Sequence, residues 1–198
     1  NDLQPKVFVM ENVSGLVKGK MKKKFQEIMI ALKETGYNVK CKLMNSMYYN
    51  VPQARERLIW IGVRDGEPKF PEPNNNIITA YEATKDIKKQ VKELRESKYW
   101  HKCKPGESFR KYHEKGHQFS NYRLSPYKPC QTLTKSPGAL WHWNQCGYLS
   151  IEMAKRLCSF PDDFILTGTY KNKWGRLGNS VMPKFMKEIA LTIKNNIL

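Results

Sequence analysis

A chain of 198 residues and 23.2 kDa can bury one sizeable core or two small ones. Its 35 Lys+Arg against 18 Asp+Glu leave a net charge of +17 and a pI near 9.7, an excess that points to a polyanionic partner, most often nucleic acid. Hydrophobic content of 40% excludes wholesale disorder, and no apolar run reaches the ~18 residues of a membrane span. A generally basic, Lys-rich proteome is the plainer explanation of the charge taken alone. Five cysteines with no C-x-x-C pair speak for free thiols in a reducing, intracellular and cytoplasmic setting. There is no signal peptide, and the first residue is Asn1, so the sequence reads as beginning inside a longer chain.

Residues 6–10 (Lys-Val-Phe-Val-Met) read as a short buried strand. Met21, Phe25, Ile28, Met29 and Leu32 then fall at helical spacing, with Gly36 suited to the C′ position. Residues 37–43 alternate as a half-buried strand with Tyr37, Val39, Cys41 and Leu43 on one face, and residues 58–63 read as a fully buried strand. After Arg64 the composition changes. Pro68, Pro71 and Pro73 lead into Asn74, Asn75 and Asn76, and residues 81–123 carry 12 Lys+Arg against 6 Asp+Glu with weak periodicity. In the last section Ser150 can cap a helix over 151–160. Pro183 has the first-turn preference of a final helix striped by Phe185, Ile189, Ile193 and Ile197. The expected layout is α/β pieces at 1–64 and 124–198 flanking a basic insert at 65–123.

Three short segments carry chemistry-bearing residues. Glu11-Asn12-Val13 follows the first strand, at the strand end where open α/β sheets place ligands and where desolvation can make a carboxyl an acid near neutrality. A strand-end Glu in an ion pair is the alternative. Gln53, Arg55 and Arg57 alternate just before the buried strand, so in extended chain they share a face that can present an amide and two guanidiniums to a phosphate, a carboxylate or a base edge. A polar strand entry paired with acids such as Glu56 explains them equally. Gly178-Asn179-Ser180-Val181-Met182-Pro183 stands at the mouth of the last helix, where free N–H groups can hold a polar ligand, or where ordinary capping suffices. His101, Cys103, His113 and His117 lack the close cysteine pair usual for structural zinc, and no metal is expected.

In order, these segments resemble the DNA (cytosine-5)-methyltransferase family. "PKVFVMENVSGL" is similar to its Glu-Asn-Val motif, "YYNVPQARERLIWIGVR" to its Gln-x-Arg-x-Arg motif, "KPCQTLTKS" through "YLSIEMAKRLCSFPDDF" to the penultimate block, and "GRLGNSVMPKFMKEIA" to the closing block. Together they cover about half the residues. Asn50 replaces a usual Gly, which suits Asn because it tolerates φ > 0. Gly147 and Ile151 stand where the family often has arginines.

The resemblance implies an α/β fold, a partial Rossmann-like methyltransferase sheet interrupted by a small, basic target recognition domain. It implies methyl transfer from S-adenosylmethionine to C5 of a cytosine flipped out of double-stranded DNA, as in restriction–modification systems, in a bacterial, phage or viral host cell. Glu11 would serve N3 and the amino group of the base, and Arg57 would hold O2. Arg55 and Gln53 would brace the nucleophile loop and backbone, and Asn12 would position the loop bearing the catalytic cysteine. Asn179, Ser180 and Val181 would line the methyl-donor pocket, while Arg110, Lys111, Tyr112 and Arg123 would contact DNA. The family's Phe-x-Gly-x-Gly cofactor loop and Pro-Cys-Gln nucleophile loop precede Glu-Asn-Val, and only ten residues precede Glu11. A second chain or an N-terminal half would have to carry them, as in a split enzyme. Pro129-Cys130-Gln131 is a decoy, because it falls in the penultimate block. A non-catalytic DNA-binding or regulatory module derived from this family is the alternative function.

Overall fold

The computed structural model describes residues 3–17, 21–117 and 121–198. The chain forms two compact units: Asn1–Asn45 with Glu56–Pro73 and Met186–Leu198, and Ser46–Arg55 with Asn74–Phe185. The composition boundary at 123/124 lies inside the second unit, because strands on either side of it pair with one another.

In the first unit, strands β1 (Val7–Val13), β2 (Asn38–Asn45) and β3 (Glu56–Val63) form a sheet in the order β1-β3-β2. Both outer strands pair antiparallel with β3, so β1 and β2 run the same way. Helix α1 (Lys22–Glu34) lays Phe25, Ile28, Met29 and Leu32 over a cluster of Tyr37, Val39, Leu58 and Trp60, with Phe8, Met10 and Cys41 beside it. The period-3.6 and period-2 stripes read from the sequence meet here. Gly36 leaves the helix at φ +86, a left-handed conformation that glycine adopts without strain. Gly62 has a separate reason: a Cβ there would occupy the Phe8 ring, which packs edge-on against Tyr37 at 5.2 Å. β1 is longer than the 6–10 expected, and Glu11 lies within it opposite Ile59.

The second unit holds a small sheet, order β4-β7-β6-β5, from β4 (Val91–Leu94), β5 (Tyr122–Arg123), β6 (Leu140–Trp141) and β7 (Gly147–Leu149). Its short helices are well capped. Thr79 and Glu82 make a reciprocal capping box on α2 (Ala80–Thr84), and Ser97 caps α3 (Lys98–Lys102). Trp100, Cys103, Phe109 and Trp141 form the core beside this sheet. Gly147 is explained by the β4 pairing, since a Cβ there would meet the Glu93 carbonyl; an arginine does not fit.

Between β6 and β7, the buried His142 ring has Nε2 2.8 Å from the Gln90 Oε1, and Nδ1 accepts from the N–H groups of Asn144 and Gln145. This is the neutral ring, and burial holds its pKa down to about 4. The unfolded chain takes up the proton first, so the unit should be fully stable above about pH 6.5 and lose up to about 3 kcal/mol as pH falls to 4. Urea unfolding at several pH values should show that slope, and His142→Asn should flatten it.

Ser150 caps α4 (Ile151–Leu157) as expected, its hydroxyl accepting from the Met153 N–H at 3.1 Å. The helix is shorter than 151–160 because Ser159 turns left-handed at φ +59 ahead of Pro161. Helix α5 (Tyr170–Asn179) was not legible, and α6 (Pro183–Asn196) opens at Pro183 as expected. In α5, a Cβ at Gly178 would land on the backbone of residues 134 and 135. Gly178→Ala should therefore destabilise by about 1–3 kcal/mol through overpacking, although Ala is worth about 1 kcal/mol more than Gly in a helix. Thermal unfolding reads the sign directly.

Candidate active site

Glu11 and Arg57 face each other on the first unit's sheet. In the antiparallel register Glu11 lies opposite Ile59 and Val13 opposite Arg57, so Glu11 and Arg57 are diagonal neighbours on the face away from α1. The Arg57 Nε lies 2.6 Å from the Glu11 Oε1, and the side chains are 12% and 27% exposed, respectively. Arg57 also donates from Nη1 to the Glu56 carbonyl at 2.7 Å, which fixes its guanidinium. Solvent thus reaches a carboxylate and a guanidinium fork side by side, an acceptor next to donors. Asn12, opposite Leu58, accepts the Val13 N–H on its own Oδ1 at 2.8 Å, a local turn-like bond just before the 3₁₀ turn Ser14–Leu16.

Gln53 and Arg55 do not present their heads to solvent. Both are buried in the second unit and hold its backbone together. Gln53 donates to the Leu157 carbonyl at 3.3 Å and its amide nitrogen lies 3.4 Å from the Cys158 sulfur, while its Oε1 accepts the Leu133 N–H at 3.1 Å. Arg55 donates to the carbonyls of Leu133 at 2.9 Å, Gly178 at 2.8 Å and Ser180 at 3.1 Å. The shared outward face for a phosphate or base edge is thus corrected for these two: alternation before a buried strand puts polar heads inward wherever backbone acceptors await them. Asn50 holds the turn before them at φ +59 and accepts from the Asn74 amide at 3.2 Å.

The closing motif ends α5 rather than standing free. Ser180 caps that helix and donates its hydroxyl to the Leu177 carbonyl at 2.7 Å, and its own carbonyl takes the Arg55 bond. Asn179 is exposed and Val181 half-buried, so an amide and an apolar edge remain to meet a ligand. Cys130 is 1% exposed, its backbone pairing with Pro52 and Ala54, and burial pushes its thiol well above the ordinary range. A thiol kept protonated in an apolar site is no nucleophile.

Of the residues expected to contact DNA, Arg110 is exposed, and its guanidinium has no partner among the described residues. Lys111 and Tyr112 both reach Glu107, at 2.6 and 2.8 Å, and hydrogen bonds from Lys111, the Lys104 N–H and Tyr112 hold that carboxyl at about 2. Arg123 is a correction. Its guanidinium donates to the carbonyls of Trp143, Trp100 and Cys103 and lies 3.7 Å over the Trp100 ring, so it ties the insert's core together. The dense tryptophans at 100, 141 and 143 were the available signal for an inward-facing cation. His113 stacks between Tyr99 and His117 at 5.3 Å on each side. Among the described residues no group of three or more His, Cys, Asp or Glu side chains is placed to hold a metal. No helix among them is long and apolar enough to cross a membrane.

The mixed α/β fold is shared with solved structures of the Rossmann-like class. A protein titled as a DNA modification methyltransferase encoded within an E. coli prophage superposes with a TM-score of 0.73 at 20% identity, over 98% of this chain and 70% of that one. The S. pombe Dnmt2 methyltransferase gives 0.55 at 18% identity, over 96% and 66%. The family model for C-5 cytosine-specific DNA methylase matches residues 1–126 and 106–195, and this chain belongs to that family. A type II methyltransferase of Haemophilus parahaemolyticus is 30% identical over 94% of this chain and 56% of its own length. One from Neisseria gonorrhoeae is 29% identical over 98% and 59%, and one from Staphylococcus aureus 29% over 96% and 51%. The chain therefore spans between half and three fifths of these relatives.

Proposed function

We propose that this chain is the C-terminal half of a DNA (cytosine-5)-methyltransferase, acting on a cytosine flipped out of double-stranded DNA. The observation that carries the reading is the Glu11–Arg57 pair, 2.6 Å apart on one sheet face. The Watson–Crick edge of cytosine presents an amino donor, the N3 acceptor and the O2 acceptor in a row. Arg57, already oriented by the Glu56 carbonyl, donates to O2. Glu11 accepts from the amino group and delivers a proton to N3 as a thiolate adds at C6, which leaves C5 nucleophilic. The pair that the free protein closes on itself opens around the base.

The thiolate comes from a Pro-Cys-Gln loop outside this sequence, on a preceding segment or a second chain, and Cys130 does not replace it. Asn12 positions that loop. S-adenosylmethionine, when bound, supplies the electrophilic methyl group. Asn179 and Val181 fit the edge of its pocket, an amide and an apolar side chain, whereas the Ser180 hydroxyl is committed to its own helix. Most of the donor's contacts lie on the missing loop, so this chain alone binds the donor weakly and does not turn over. Residues 65–123 act as the target recognition domain, with Arg110 in contact with DNA and Lys111 and Tyr112 flanking it.

Fluorescence anisotropy of the isolated chain on duplex DNA tests the binding half of this reading. With about six phosphate contacts, affinity should fall on the order of a thousandfold between 50 and 200 mM salt. Arg110→Ala should weaken binding several-fold. Affinity indifferent to salt would remove the assignment.

A further inference from the structure

The second unit contains a cavity of about 390 Å³ between the loop at 135–137 and α5, and of its lining the reading above gives a role to Asn179 alone, at one edge. Asn172, Gly175, Arg176 and Asn179 recur at i, i+3, i+4 and i+7, so they share one helix face, and Lys171 borders it. The glycines of α5 bring the loop close: Gly178 admits the backbone at 134, and a Cβ at Gly175 would sit 3.7 Å from the Lys135 carbonyl. Lys135 thereby reaches the same cavity as Lys171 and Arg176.

None of these three cations has a carboxylate partner among the described residues. Arg176 is anchored through Nη1 alone, to the Thr167 carbonyl at 2.7 Å and hydroxyl at 3.3 Å; its other nitrogens, and both lysine ammoniums, have no partner among the described residues. No carboxylate lines the cavity. Some basic side chains of this protein are matched, as Arg156 is by Asp86 and Asp162, Lys111 by Glu107 and Lys40 by Glu67. Three positive charges around one concave surface repel one another until an anion arrives, and Ser136 and Asn172 add hydrogen-bonding groups.

We propose that this cavity seats backbone phosphates of duplex DNA, a contact outside the recognition insert that positions the duplex without reading its sequence. The inference rests on the DNA methyltransferase reading and extends it to Lys135, Lys171 and Arg176, side chains to which that reading gives no role. S-adenosylmethionine is a poor occupant, because its sulfonium and ammonium outnumber its single carboxylate and nothing here balances them.

The test is Lys135→Ala/Lys171→Ala, two exposed positions whose replacement leaves the core intact, with unchanged thermal unfolding as the control for folding. Anisotropy of the isolated chain on labelled duplexes is followed across salt. Loss of two phosphate contacts should flatten the slope of log K against log salt by about 1.8 and weaken binding at least tenfold, equally on unrelated sequences. Lys42→Ala/Lys194→Ala, exposed in the first unit and outside residues 65–123, should change neither. A double variant with wild-type slope and affinity overturns this proposal and leaves the functional reading standing. A wild-type chain that binds duplex without salt dependence overturns both. Calorimetry showing that the variant loses S-adenosylmethionine binding while its DNA slope is unchanged would reassign the cavity to the donor.

Discussion

Arg55→Ala is expected to cost about 3–5 kcal/mol of unfolding free energy, the largest loss from any single side chain outside the apolar cores. Arg55 is 3% exposed and its guanidinium serves three carbonyls, those of Leu133, Gly178 and Ser180. Truncation leaves those acceptors buried, with a cavity where the side chain lay. Arg55→Lys should recover only part of the loss, because an ammonium on a flexible stem does not reproduce the planar fork that spans the three. Urea denaturation of both variants checks this. A loss below about 1 kcal/mol for Arg55→Ala would mean that water replaces the guanidinium and that the closing motif is held by other means.

Glu11→Gln should leave stability nearly unchanged and remove most of the chemistry. The ion pair with Arg57 is partly open to solvent, where such pairs contribute about 1 kcal/mol or less. In an enzyme reconstituted with the missing half, the glutamine still hydrogen-bonds the flipped base but cannot deliver a proton to N3. Single-turnover methylation should slow by about 10²–10⁴, equivalent to roughly 3–5 kcal/mol of barrier, with DNA affinity within a few-fold of wild type. Arg57→Ala should behave differently, because losing the O2 contact weakens capture of the base as well as the rate. A wild-type single-turnover rate for Glu11→Gln would reduce the residue to a strand-end carboxylate.

The first unit was the more legible because its elements are periodic. Phe25, Ile28, Met29 and Leu32 on α1, Tyr37 just before β2 and Val39 and Cys41 along it announce one shared core and form it, whereas Met21 and Leu43, expected on the same stripes, are exposed. β1 was read too short because Glu11 and Asn12 end the apolar run, although backbone pairing with β3 continues to Val13. Helix α5 was missed for the opposite reason. Gly175 and Gly178 lower its helix propensity, yet Gly178 is required where the backbone at 134 crosses the helix. The two-residue strands β5 and β6 are too short for any alternation to appear.

At the site, sequence spacing placed Gln53, Arg55 and Arg57 on one face but could not tell which polar heads turn inward. That depends on carbonyls more than 70 residues away along the chain, such as those of Leu133 and Gly178. Arg123 shows the same limit. It looks like a surface cation in a basic insert, and two tryptophans distant in sequence, Trp100 and Trp143, decide otherwise.

The most direct measurement of the central claim is transfer of a labelled methyl group to duplex DNA by this chain, alone and mixed with a chain carrying the Phe-x-Gly-x-Gly and Pro-Cys-Gln loops. The account predicts no incorporation by the pure chain. It predicts incorporation by the mixture that survives Cys130→Ser and is lost when the partner's loop cysteine is replaced. Turnover by the pure chain, abolished by Cys130→Ser, would contradict it.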